Sequence, residues 1–277
     1  MNILITGANG QLGNEMRVLS AQHTHHTYFF TDIDELDITS RAAVKQFVSE
    51  NSIDIIVNCA AYTNVDKAEI DENLAHKINA SAVENLGLSG ARVIHISTDY
   101  VFSGEACVPY AETDSVAPRT AYGRTKREGE KLLQAVSDEA IIIRTAWLYS
   151  TFGNNFVKTM LRLGSERKDL GVVFDQTGTP CYARDLAKVV LLCLDKDFEG
   201  QILHFSNEGV CSWYDFALKI MQLGKKDCHV RPIRTADYPT TATRPTYSVL
   251  DKADIKQFLG IEIPHWEESL NECLKRL

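Results

Sequence analysis

A short β-branched run, MNILI over residues 1–5, breaks into Thr6-Gly7-Ala8-Asn9-Gly10-Gln11-Leu12-Gly13, and a helical pattern follows at once with Leu12, Met16 and Leu19 on one face. Strand, glycine turn and helix in that order leave the chain few folds, because the turn brings backbone closer than side chains allow. Gly7 permits the tight turn, Gly10 lets backbone amides approach a pyrophosphate, and Gly13 lets helix pack closely on strand. A phosphate there would meet the positive end of the helix dipole. The spacing is Gly-x-x-Gly-x-x-Gly rather than Gly-x-Gly-x-x-Gly.

Further strands are predicted over residues 27–30, 54–57, 92–96 and 140–144, with helical patterns between them, one of them filling residues 66–88 around Asn79. Apolar strands of this kind belong in a parallel sheet covered on both faces. The expected fold is α/β: a Rossmann-type doubly wound parallel sheet with a smaller, discontinuous C-terminal substrate domain. Residues 1–150 form the dinucleotide-binding domain, to which 178–205 return through a helix over 183–194 and a strand over 202–205. Residues 151–177 and 206–277 form the substrate-binding domain, where short elements alternate with loops, Arg231-Pro232 among them. Asn79, a mediocre helix former, either bends its helix around a water or faces solvent.

The chemistry sits at the strand ends. Asp32 lies about twenty residues beyond the glycines, where a carboxylate accepts from an adenosine ribose hydroxyl. Its charge repels a 2′-phosphate, and no Arg or Lys between Arg17 and Arg41 offsets it, which favours NAD over NADP. Asp37 and Ile38 border the adenine, or Asp34 and Asp37 are turn and N-cap residues before a helix starting near Ser40. After the third strand, the small residues through Ala61, Tyr62 and Thr63 let backbone lie close to a cofactor. The fourth strand ends at Thr98-Asp99, a ligand position in a doubly wound sheet, whereas His95 reads as a packed strand residue. Tyr122 and Lys126 stand four apart on one helix face. An ammonium near a phenol, whose ordinary pKa is ~10, favours the phenolate and makes the pair an acid–base device. Four-residue spacing also arises on plain helix surfaces, and it is Thr98 upstream that tips the reading toward chemistry.

Composition narrows the partners. The 277 residues carry a net charge of −8, so no basic field draws nucleic acid or an anionic membrane, and no apolar run approaches membrane-spanning length. The N-terminus turns polar at Thr6-Gly7, too early for a signal peptide. Seven scattered cysteines, none in a Cys-x-x-Cys pair, suit a reducing cytoplasm and predict neither a disulfide framework nor a metal site. An anionic substrate would need a local cation; Arg244 is the candidate, with a structural ion pair as its alternative. Trp147 closes over the substrate or belongs to a core or domain interface.

The glycines with Thr98, Tyr122 and Lys126 resemble the extended short-chain dehydrogenase/reductase superfamily. Within it the chain is similar to the dTDP-4-dehydrorhamnose reductase family, on NCAAYTNVDKAE over 58–69, STDYVF over 97–102, Arg144 to Trp147, Gly153 to Phe156, Asp175 to Pro180, and Arg244-Pro245 with Ser248. These runs span nearly the whole chain in order. The resemblance implies an NADPH- or NADH-dependent reductase of the C4 ketone of dTDP-4-dehydro-L-rhamnose, cytoplasmic, with a homodimer as an expectation. It implies that Gly10, Gln11, Leu12, Asp32, Asp37, Ile38, Ala61, Tyr62 and Thr63 border the cofactor and that Thr98, Asp99 and Trp147 border the sugar nucleotide. Cys181 departs from the usual Thr and touches the expected details of the substrate wall. A dehydratase of the superfamily needs an acid after Asp99, and Tyr100 stands there. An epimerase, or a regulatory subunit that has lost its catalytic groups, are the remaining rivals.

Overall fold

The computed structural model describes residues 1–197 and 199–277. Five strands, β1 (Asn2–Thr6), β2 (Thr27–Thr31), β3 (Ile55–Asn58), β4 (Arg92–Thr98) and β5 (Ala140–Thr145), join a sixth, Gln201–His204, in one sheet. The spatial order runs β2, β1, β3, β4, β5, then Gln201–His204, and every pairing is parallel. The chain leaves β1 to one side and crosses back to β3 on the other, so the carboxyl ends of β1 and β3 flank a switch point. This is the doubly wound α/β sheet expected from the strand pattern.

Each face has its own apolar core, as a parallel sheet requires. On one, α1 (Gln11–Ser20) and the helix Ala183–Leu194 bring Met16, Leu19, Leu186 and Val190 onto Ile3, Ile5 and Val57. On the other, Val44 and Val48 of α2 (Arg41–Glu50) join Val83, Leu86 and Leu133 over Leu4, Ile56 and Ile142. A third cluster lies apart from the sheet and gathers Val157, Phe216, Ile220, Trp266 and Leu270. No helix among the described residues is long and apolar enough to cross a membrane.

Two local expectations give way. The single helix predicted over 66–88 is broken into Val65–Ala68, Glu72–His76, a π-helical turn Lys77–Ser81 and Ala82–Gly87. The first break falls before the cap Asp71, and the π-turn holds Asn79, which does not face solvent. It is buried, its Oδ1 accepts from the Tyr62 amide at 2.8 Å, and its Nδ2 donates to the Tyr62 carbonyl and to Thr125 Oγ1. Arg231-Pro232, read as loop, lies within the strand His229–Ile233, paired with Asp169–Val173. A two-stranded ribbon is all edge, so the amide that Pro232 lacks can be spared there.

The helix Ala121–Val136 is held to the sheet by a buried ion pair. Glu130, with no exposed surface, takes Arg144 of β5 in two bonds of 2.9 and 2.8 Å and also accepts from Ser97 and Arg127. Burial alone would raise the Glu130 carboxyl, but Arg144, Ser97 and Arg127 together outweigh it and leave the pKa below the ordinary value. Glu130→Ala strands a buried guanidinium and is expected to lower the unfolding free energy by about 3–5 kcal/mol. Because the folded pKa is depressed, this contribution is present above the unfolded value of ~4.3 and is lost as pH falls through the folded one. Urea melts of both proteins across acid pH check it: an equal difference at every pH, or none, would refute this account.

Candidate active site

The glycine turn is as tight as its spacing demands. Gly7 adopts φ +62°, and a Cβ on it would lie 2.6 Å from the Ala60 amide nitrogen. A Cβ on Gly13 would lie 2.5 Å from Ala8 Cα. Gly10 is different: its nearest neighbour would be the Gly7 carbonyl at 3.2 Å, and it caps α1 with no side chain, so the first amides of the helix face open space. A cavity of about 310 Å³ opens here, lined by Gly7, Gly10, Asp32, Asp37, Ile38 and Ala61 among others. An uncapped helix terminus beside a cradle that side chains would fill fits the pyrophosphate of a dinucleotide.

Of the other residues predicted for this region, some reach the cavity and some do not. Asp32 Oδ2 accepts from the Asn9 amide at 3.0 Å, tying the end of β2 to the glycine turn. Asp37 is an Asx turn rather than a helix cap, taking the Thr39 amide and hydroxyl, which hold its pKa below the ordinary value; Ser40 is the cap of α2. Leu12 packs into the sheet core. Gln11 turns away toward the exit of β5, where it accepts from Asn155 at 3.0 Å. Tyr62 packs, as Tyr122 does, against the cluster of Ala68, Ala75 and Ala121, with its backbone pinned by Asn79, and Thr63 is exposed.

At the ends of β4 and β5 the polar groups converge. Thr120 caps the helix Ala121–Val136 by accepting from the Gly123 amide at 3.0 Å. Gly123 lies so close to β4 that a Cβ would sit 2.2 Å from the Tyr100 carbonyl oxygen. The rings of Tyr100 and Tyr122 therefore meet edge to face, 5.5 Å between centroids. Thr98 donates to Asp99 Oδ1 at 2.9 Å and accepts from the Tyr100 amide. Burial raises Asp99 to about 6, against hydrogen bonds from Thr98 and Ser248. Burial also raises Tyr122 above 10, opposed by a hydrogen bond with Thr98. Burial thus favours the protonated phenol, where the Tyr–Lys spacing alone favoured phenolate.

Lys126 does not lean on Tyr122. It is 1 % exposed, and its Nζ lies 2.6 Å from the Ile96 carbonyl and 3.1 Å from His95 Nε2. Burial lowers it to about 8, although Glu130 pulls the other way. His95 is thus more than the packed strand residue that the pattern of β4 suggests: its other nitrogen meets Asn58 Nδ2 at 2.9 Å.

Beyond Tyr100 lies a second cavity, of about 680 Å³, lined by Asp66, Tyr100, Trp147, Trp213, Arg231 and Arg244 with others. Trp147, at φ +46°, stacks on Trp213 with the rings 3.5 Å apart and 6° from parallel. Arg244 lines this cavity yet is also the ion pair weighed against a ligand role, bonded to Asp66 and to the Tyr100 hydroxyl. Cys181 is fully buried in the sheet core and is absent from the lining of both cavities. Trp213 and Arg231 were missed from the sequence because neither stands in a motif; only the fold brings them beside Trp147.

The family described as RmlD substrate binding domain matches residues 1–277. The chain is 41% identical to the dTDP-4-dehydrorhamnose reductase of Aggregatibacter actinomycetemcomitans, over 97% of this chain and 96% of that one. A crystal structure of a dTDP-4-dehydrorhamnose reductase from Clostridium acetobutylicum superposes with a TM-score of 0.96 at 45% identity, covering 100% of this chain and 99% of that one. The dTDP-4-dehydrorhamnose reductase of Bacillus anthracis, solved in complex with NADP, gives 0.96 at 38% identity with the same coverage. A UDP-glucose 4-epimerase of Thermotoga maritima shares only the fold, at 18% identity.

The turn makes its own prediction. Gly7→Ala forces a side chain into left-handed backbone against Ala60, and it is expected to weaken dinucleotide binding at least tenfold and to lower the melting temperature. Fluorescence titration with NADPH and a thermal melt check it; unchanged affinity would mean that the turn tolerates a Cβ and is not the cradle.

Proposed function

The chain belongs to the dTDP-4-dehydrorhamnose reductase family, and on that premise we propose that it reduces the C4 ketone of dTDP-4-dehydro-L-rhamnose to give dTDP-L-rhamnose. The observation that carries this reading is the meeting of Thr98 and Tyr122 at the end of β4, with Lys126 one helical turn beyond Tyr122 and with Tyr100, which touches the Tyr122 ring, in the wall of the larger cavity. Bound NADPH or NADH supplies the hydride. Gly7, Gly10 and the first amides of α1 would hold its diphosphate, with Gly13 letting the helix lie close enough, and Asp32, Asp37, Ile38 and Ala61 would lie toward the adenosine.

The chain's own groups manage the proton. Tyr122, kept protonated by burial, gives its proton to the oxygen at C4 as the alkoxide develops. Thr98 orients the ketone. With its own proton engaged by Asp99, it turns from Asp99 to donate to the substrate. Lys126 stabilises the tyrosinate left behind. Trp147, backed by Trp213, gives the sugar a flat wall, and Arg244 and Arg231 offer the diphosphate guanidinium groups now paired with Asp66 and Asp169.

The substrate part comprises residues 151–177 and 206–277, in keeping with the separate apolar cluster around Phe216 and Trp266. Seven free cysteines suit a cytoplasmic location. Tyr100 in place of an acid after Asp99 disfavours dehydration, which must expel water from the hexose.

Tyr122→Phe is expected to fold and to bind NADPH as the parent does while losing roughly 10²–10⁴ in turnover. The assay follows NADPH and NADH oxidation with dTDP-4-keto-L-rhamnose, with dTDP-4-keto-6-deoxy-D-glucose as control. Near-parental turnover in the variant would remove Tyr122 from the acid role, and consumption with neither sugar would remove the reductase reading.

A further inference from the structure

A row of polar side chains crosses the sheet where an apolar core is expected. Thr6, Asn58 and His95 are register partners on β1, β3 and β4, and each is 1 % exposed or less. From the other side, the helix Ala121–Val136 delivers Lys126 to the end of the row. The result is one buried chain of hydrogen bonds: Thr6 Oγ1 to Asn58 at 2.7 Å, Asn58 to His95 at 2.9 Å, His95 to Lys126 at 3.1 Å. Burial on this scale is costly unless every donor finds an acceptor.

Donor counting fixes its direction. The Ala60 amide lies 3.1 Å from Asn58 Oδ1, and a backbone N–H can only donate. That oxygen therefore faces Ala60 and Thr6, and the Asn58 amide nitrogen faces His95 Nδ1. His95 is neutral: burial, the largest cause, holds its pKa far below the ordinary value. Accepting at Nδ1, it carries its proton on Nε2, pointed at Lys126 Nζ. An ammonium cannot accept that proton, whereas an amine can, and the amine still donates to the Ile96 carbonyl at 2.6 Å.

We propose that His95, locked in its Nε2–H tautomer by Asn58, disfavours the Lys126 ammonium, so that in alkaline solution the unliganded enzyme holds Lys126 as an uncharged amine and dinucleotide binding carries a proton from solvent onto it. The inference rests on the reductase reading for its purpose. A neutral lysine costs less to keep buried, and ribose hydroxyls and a diphosphate would favour its charged form. The other ionisable groups near Lys126 leave this in place. Glu130, one turn along, favours the ammonium but is itself taken by Arg144 and Arg127, and Tyr122, one turn back, stays protonated. His95 is a positioning residue in this scheme; it acts through Lys126 and not on substrate.

Two measurements test it. In the empty enzyme, ¹⁵N-histidine NMR, with His95 assigned by its loss in His95→Gln, should show a pyrrole-type Nε2 and a pyridine-type Nδ1. In calorimetric titrations with NADPH in buffers of different ionisation enthalpy, proton uptake should be near zero at about pH 7 and approach one proton at about pH 9, with affinity falling up to tenfold per pH unit between. His95→Gln, whose amide can still donate to Nζ, should keep this behaviour; His95→Phe, which cannot, should shift its onset to higher pH. A merely structural role would lower stability or turnover without moving that onset. A proton on Nδ1, or identical onsets in His95→Phe and the parent, overturns the proposal while leaving the reductase reading intact. Failure to oxidise NADPH with the sugar nucleotide would overturn that reading, yet the tautomer would still decide this one.

Discussion

The chemistry depends on how closely the helix Ala121–Val136 lies on its neighbours, and two glycines set that distance. Gly123 touches the Tyr100 carbonyl, and a Cβ on Gly129 would lie 2.0 Å from the Asn79 carbonyl oxygen. Any larger residue at either position would lift the helix and carry Tyr122 and Lys126 off the end of β4. The Glu130–Arg144 pair supplies the attraction that the glycines permit, in a place where an unpaired charge of either sign could not survive. Close approach, ion pair and catalytic side chains thus share one helix and largely one face of it, since Tyr122, Lys126 and Gly129, and Gly123, Lys126 and Glu130, recur at helical spacing.

The same economy governs charge in the site. The protein is acidic overall, yet its larger cavity is lined by Arg167, Arg231 and Arg244. Arg231 and Arg244 are paired with Asp169 and Asp66. A guanidinium parked on a carboxylate at a half-exposed site costs little to hold and is pre-aimed, so an arriving diphosphate exchanges one anion for another instead of ordering a loose side chain. The ion pair and the proposed ligand role of Arg244 are therefore compatible, since the pair would keep it in position for a ligand.

Much of this was legible in the sequence, and the reason is physical. The glycine spacing, the β-branched runs and the Tyr–Lys interval are local signals, because backbone sterics and helix geometry fix them within a few residues. What escaped was decided by distant partners. The π-turn at Lys77–Ser81 exists because Asn79 serves Tyr62 and Thr125. The Trp147–Trp213 stack joins residues 66 positions apart that share no motif. His95 read as an ordinary strand residue because alternation along β4 says nothing about which atoms lie across the sheet.

That last case explains why the four-residue Tyr–Lys spacing predicted the partners and not their electrostatics. Spacing places two side chains on one face, but each then settles against whatever the rest of the fold presents. For Tyr122 that is Thr98 and a poorly hydrated wall, which keep the phenol protonated; for Lys126 it is an imidazole aligned by Asn58 and a backbone carbonyl. A site built to give a proton to an alkoxide needs the phenol protonated before substrate binds and stabilised as tyrosinate afterwards. Separating the two groups, with the phenol against Thr98 and the lysine against His95 and the Ile96 carbonyl, meets the first need, and a lysine whose ammonium form a bound cofactor would favour meets the second.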